Sequence, residues 1–211
     1  PSWVRIVYAS SEMAPFAKTG GLADVSAALP KALAARGHEV TCFLPRYGSI
    51  PFPPGRFLGS VHVPVDSVHR SAGFYERELA PNLRVIFVEH PPFFDRQGLY
   101  GDSRGDFGDN QFRFAFFCRA VIEFCRSRGY RPDVFHAHDW QTGLLPVYLK
   151  AFYPDDPTLY RVPTVFTIHN LAYQGHFSAA TLGPLGFPDS LDTDDALDWN
   201  GNICYLKGGL L

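Results

Sequence analysis

Three short segments carry residue types that can do chemistry. In the first, Glu12 and Lys18 precede the pair Gly20-Gly21, and Asp24 follows at once. Adjacent glycines between a strand and a helix let the backbone come close to a ligand, and the helix behind them turns unpaired N–H groups and its positive dipole end toward that space. A phosphate or a developing negative charge is stabilised there. Lys18 adds a full positive charge, and Asp24 can complement the dipole or bond a sugar hydroxyl. On residue types alone, a structural turn with a solvated lysine stays equally open, because the loop is neither Gly-x-Gly-x-x-Gly nor a P-loop closing on Gly-Lys-Ser/Thr. The missing dinucleotide loop sets aside an NAD-dependent enzyme.

The second segment is His136-Ala137-His138-Asp139-Trp140 and the third is Thr167-Ile168-His169-Asn170. Two histidines at i and i+2 on a strand share one face and, with Asp139, make a zinc set conceivable, but no further ligand cluster accompanies them. Asp139 can equally N-cap the helix that follows. His169 reads either as a satisfied structural histidine or as a group at a reacting centre. Tyr100, in a Gly-Leu-Tyr-Gly loop, is a weaker candidate, and Asp109 to Phe114 reads as a helix start serving N-capping and core packing.

These segments need elements to position them. Residues 4–9 read as a strand running into the glycine loop, 22–36 as a helix with Gly37 as its stop and Pro30 as a kink or restart, and 40–44 as a second strand completing a βαβ unit. Alternating pieces at 59–65 and 73–79 suggest a β-ribbon. Residues 83–89 are almost uninterruptedly apolar, as a parallel strand covered on both faces should be. The Gly- and Asp-rich stretch 91–108 is either a functional loop or a linker. A helix over 109–128, a strand over 133–137, a helix over 142–152 weakened by Pro146 and a strand over 164–168 follow. The alternation predicts an α/β fold, a Rossmann-like doubly wound and mostly parallel sheet with a small β-ribbon insertion. Ligands of such sheets bind at the carboxyl ends of the strands, where all three segments lie.

Composition limits the rest. The 211 residues, 46% of them apolar, suffice for one well-buried unit. Nineteen Lys and Arg against 21 Asp and Glu, a net charge of −2, exclude a global field that draws in nucleic acid or an acidic membrane surface. Cys42, Cys118, Cys125 and Cys204 form no CxxC pair and read as reduced core thiols. No apolar stretch approaches the ~20 residues needed to cross a bilayer, and the chain opens on a strand rather than a signal sequence, so a cytoplasmic setting is expected.

The string SSEMAPFAKTGGLADVSAALPKALAARGHEV resembles the opening of bacterial glycogen synthases and plant starch synthases, whose signature is the Lys-Thr-Gly-Gly-Leu-Ala-Asp-Val run. HAHDW and TIHNLAYQG match two further motifs of that family in the same order, so the resemblance covers nearly the whole chain. It implies the N-terminal half of a GT-B fold and transfer of glucose from ADP-glucose to the non-reducing 4-hydroxyl of an α-1,4-glucan, with retention and without a metal or other cofactor. It assigns Lys18, Gly20 and Gly21 to the nucleotide-sugar diphosphate, with Glu12 and Asp24 near the cleft. By the same resemblance Asp139 is expected to bear on activity, His169 to contact the transferred glucose with Asn170 beside it, and Tyr100 to be similar to a cleft tyrosine of the family. The family continues past Leu211, so residues 1–211 are expected to be a truncated N-terminal catalytic domain. A C-terminal nucleotide-binding domain is missing in cis, and glucosyl transfer by this chain alone should be negligible. Two rivals stay open: a glucan- or nucleotide-binding module without turnover, and another GT-B nucleotide-sugar transferase.

Overall fold

In a computed structural model, which describes residues 2–66, 68–193 and 195–211, strand β1 (Arg5–Ala9) forms on the predicted apolar run and is buried after its first residue. It feeds the loop that opens helix α1 (Gly21–Ala35). Gly37 ends the helix at φ +95, with its N–H donating to the Ala34 carbonyl at 2.9 Å and the His38 N–H to that of Leu33 at 3.2 Å. This paired closure requires a left-handed residue, which glycine supplies without strain. Pro30 does not restart the helix, which runs through it; the missing donor deprives only the Ser26 carbonyl of its helical partner.

Strand β2 (Glu39–Pro45) lies parallel to β1 and completes the βαβ unit. Strands β3 (Arg56–Val65) and β4 (Val68–Ala80) form the expected ribbon, longer than its sequence signal. The ribbon is continuous with the main sheet, because β4 pairs antiparallel with β5 (Leu83–Glu89) while β5 runs parallel to β2. The stretch after β5 is folded, with helix α2 (Pro91–Phe94) and a small hairpin of β6 (Gly101–Asp102) and β7 (Gly105–Asp106). Helix α3 (Asn110–Ser127) buries Phe114, Phe116, Phe117, Ile122 and Phe124 in the core.

Strand β8 (Val134–His138), a 3-10 turn at Trp140–Thr142, helix α4 (Leu144–Phe152) and strand β9 (Thr164–Thr167) follow. Pro146 is the third residue of α4, where no intrahelical donor is needed, so it does not weaken the helix. A small antiparallel sheet of β10 (His176–Ser178), β11 (Asp198–Trp199) and β12 (Asn202–Cys204) leads into α5 (Tyr205–Gly209).

The order across the main sheet is β3-β4-β5-β2-β1-β8-β9. The chain winds outward from β1 through β2 and β5, then returns to β8 on the other flank of β1. The winding direction therefore reverses between β1 and β8, which makes that gap the topological switch point. Strands β5, β2, β1, β8 and β9 are mutually parallel and end on one edge. All four cysteines are free and buried, and burial pushes the thiols of Cys42, Cys118 and Cys125 up. Among the described residues no helix is long and apolar enough to cross a membrane.

Candidate active-site cleft

The loop after β1 is organised by the buried carboxylate of Glu12. Its Oε1 accepts the Thr19 and Gly20 N–H groups at 2.6 and 3.1 Å, and its Oε2 accepts the Thr19 and Tyr100 hydroxyls at 2.8 and 2.7 Å. Tyr100 also meets Ser11 Oγ at 2.7 Å, and burial raises its phenol well above the usual range, so the hydroxyl stays a donor to Glu12. Glu12 and Tyr100 thus clamp the loop, their polar atoms directed inward rather than at a ligand.

Because the Gly20 amide is committed to Glu12, the open amides of this loop begin one residue further on. The Gly21 and Leu22 amides at the head of α1 meet no acceptor among the described residues. A Cβ added at Gly20 or Gly21 would meet nothing within 4 Å, and neither has a positive φ. What these glycines preserve is open space in front of the helix. Beside it, Lys18 Nζ bonds both oxygens of Asp24 at 2.8 and 2.9 Å. The two side chains are 53% and 60% exposed, so the pair is worth ~0–1 kcal/mol and yields readily to a stronger anion.

Tyr100 is held from behind by α3. Arg113, fully buried, donates to the carbonyls of Phe93 at 2.6 Å and Leu99 at 2.9 Å and to Asn110 Oδ1 at 2.8 Å, while Asn110 Nδ2 donates to the Tyr100 carbonyl at 2.9 Å. Desolvation brings the guanidinium down to about 10, still charged near neutral pH. The side chain of Asp109 does not cap α3; it pairs with Arg96 at 2.7 Å, which the N-capping expectation did not foresee.

Across the switch point, His136 and His138 share one face of β8 with ring centres 4.1 Å apart. His136 Nε2 meets Thr167 Oγ1 at 2.8 Å and His138 Nδ1 meets His169 Nε2 at 2.9 Å. Burial first, then the neighbouring imidazoles, lowers His136 to about 4 and His138 to about 2, so both are neutral near pH 7. Among the described residues no group of three or more His, Cys, Asp or Glu is gathered as a metal site.

Asp139 does not N-cap the following turn with its side chain. The residue, only 6% exposed, adopts φ 59 and turns its carboxylate toward the neighbouring loop. There Oδ1 accepts the backbone N–H of His169 at 2.7 Å and of Asn170 at 3.3 Å. The Asn170 side chain shapes its own turn by accepting the Ala172 N–H at 3.0 Å. Gly175, at φ +68, lies against Trp140, where a Cβ would come within 2.6 Å of the indole. The second and third segments are therefore one packed unit.

Lys18, Gly20 and Gly21 follow β1, Asp139 follows β8 and His169 follows β9, so all leave the same edge of the sheet. With neighbouring strands ~4.8 Å apart, β1 and β9 stand ~10 Å from each other. A groove of about 500 Å³ at the opposite edge is lined by Glu39, Arg56, Glu76 and Arg84. There Glu76 already pairs with both arginines, so neither guanidinium is left unpaired to seat an anion.

Residues 5–211 match the model of the starch synthase catalytic domain. The chain belongs to that family. It is 42% identical over 218 residues to glycogen synthase 2 of Geobacter sulfurreducens and 43% identical over 209 residues to a glycogen synthase of Koribacter versatilis, in each case across 99% of this chain. It superposes with TM-score 0.86 and 32% identity on the catalytic domain of starch synthase IV from Arabidopsis thaliana bound to ADP and acarbose. The chain spans 43% of the length of each of these relatives. It is thus a glycosyltransferase-family domain with the GT-B type of sheet, as its three motifs led one to expect.

Proposed function

We propose that the chain is the N-terminal half of a glycogen or starch synthase that moves glucose from ADP-glucose to the non-reducing end of an α-1,4-glucan with retention. The observation that carries this reading is the shared edge: two open helix-head amides with Lys18 on one side of the switch point, His169 on the other. The ADP and acarbose bound to the Arabidopsis relative supply the same two chemistries, a diphosphate and a glucan-like chain.

In such a transfer the leaving diphosphate gathers negative charge while the sugar becomes oxocarbenium-like. Donors already in place at the phosphates carry much of the catalysis, because no reorganisation is required as charge develops. The Gly21 and Leu22 amides and Lys18 serve that task, Lys18 exchanging Asp24 for phosphate oxygens and freeing Asp24 for a sugar hydroxyl. Glu12 and Tyr100 hold the loop in register. His169 and Asn170 orient the glucose, and Asp139 fixes the backbone that carries them. No pair of carboxylates takes the roles of nucleophile and acid, so glycosidase chemistry is not imported. A C-terminal nucleotide-binding domain in cis completes the nucleotide site, the setting is cytoplasmic, and neither nucleic acid nor membrane takes part.

The test is steady-state glucosyl transfer by the full natural protein with ADP-glucose and glycogen. Lys18→Ala is expected to lower kcat/KM for ADP-glucose by about 100-fold, the scale for losing one transition-state donor, with glycogen affinity retained. A wild-type protein that binds glucan and ADP but transfers no glucose would instead favour a binding module.

A further inference from the structure

We infer that His138 is a positioning residue that sets the tautomer of His169: the His138 Nδ1–H donates to His169 Nε2, so that His169 presents an Nδ1–H donor to the transferred sugar. The inference deepens the proposed transfer and rests on it for the identity of the group that His169 meets.

The proton's position follows from partner accounting. The Nδ1 to Nε2 separation of 2.9 Å requires one proton between the rings. His138 is fully buried, and its Nε2 has no partner. A neutral imidazole owns one N–H. If His138 accepted through Nδ1, that proton would sit on Nε2 as an orphaned buried donor, which native structures rarely tolerate. With the proton on Nδ1 it is used in the bond, and only a lone pair is left in the pocket. The doubly protonated form is opposed by the packing, since the ring centres of His136, Tyr8 and His169 lie 4.1, 4.2 and 5.2 Å away and the ionisable groups acting on the ring are the imidazoles of His136 and His169. The low proton affinity that burial gives His138 agrees with this geometry.

The consequence falls on His169. Its Nε2 lone pair is occupied by His138, its backbone N–H is held by Asp139, and its Nδ1 has no partner among the described residues. The ring is therefore held with its Nδ1–H directed as a donor to a hydroxyl oxygen. His136, tied to Thr167, supports the stack from the other side. Sequence reading singled out His138 only as half of a conceivable zinc pair.

The experiment is a long-range 1H–15N correlation spectrum of 15N-histidine-labelled chain in mildly alkaline buffer, with the His169 signals identified by their loss in His169→Gln. The expected result is a protonated Nδ1 and a bare Nε2 at His169. A protonated Nε2 at His169 overturns the inference, and the wild-type spectrum alone decides this. His138→Asn, whose amide nitrogen stands where Nδ1 stood, should keep that tautomer, whereas His138→Leu should release it to the commoner Nε2–H form. In the full natural protein His138→Leu should lower kcat by about tenfold, largely rescued in His138→Asn; equal loss in both contradicts the inference. The tautomer readout needs no turnover, so a failure of the glucosyl-transfer reading remains distinguishable from a failure of this one.

Discussion

Glu12 accepts from two amides and two hydroxyls, which leaves it no free acceptor of consequence for a sugar. Glu12→Gln keeps the size but sets an NH2 against groups that are all donating. With charge-assisted bonds worth ~1.5–3 kcal/mol each, ADP affinity should fall about tenfold and thermal stability should drop as well; unchanged calorimetric titrations would refute the clamp. Asp139→Ala removes the acceptor of two N–H groups in the His169 loop. Denaturant unfolding should reveal a loss of ~1–3 kcal/mol, and glucosyl transfer should be abolished. The motifs made most of these residues legible as types, but not their partners. Glu12 and Tyr100 stand 88 residues apart, and no local pattern encodes a bond over that span. Arg113 was hidden for a different reason: a cation within an aromatic helix run reads as a solvated face, whereas the fold buries it to hold the carbonyls behind Tyr100.

At the level of elements, period and punctuation were informative where an element is buried on regular faces. Strand β5 and the stop of α1 at Gly37 fall where residue order puts them. The ribbon was under-read because its alternation breaks: the β3–β4 register shifts between Phe57 and Gly59, and Gly59 sits at φ +115. A bulge moves later side chains to the other face, so the period-2 signal begins only after it. Two glycines separate structural from functional roles. Gly37→Ala forces a left-handed non-glycine residue at an exposed helix end, and should cost ~1–2 kcal/mol in urea unfolding while leaving ADP affinity untouched. Gly175→Ala drives a methyl into Trp140 and displaces the loop carrying His169, so it should impair glucosyl transfer as well as stability. Equal behaviour of the two variants in a transfer assay would separate the Trp140 contact from the site.

For the whole molecule, the alternation of strands and helices was enough to anticipate a doubly wound sheet, and the place of the motifs at strand ends to anticipate that they share one edge of it. The switch point itself emerges only from strand order, which sequence does not supply. Burying a cluster of imidazoles has a global consequence. His136, His138 and His90 take up protons less readily folded than unfolded, burial being the first cause in each. Between an unfolded value of about 6.5 and the folded value of about 4 for His136, the unfolded chain binds more protons, so stability falls as pH falls through that window and is flat above it. Melting temperatures should decline steadily on acidification from neutral pH, before most carboxylates titrate, and His136→Phe should flatten the slope. The central claim, that open amides at the head of α1 and Lys18 form the anion seat of the cleft, is most directly tested by titrating ADP into 15N-labelled chain. Saturable shifts of the Gly21 and Leu22 amides, weakened in Lys18→Ala, are expected; undisturbed amides there, with shifts instead around Arg56 and Arg84 at the opposite edge, would contradict it.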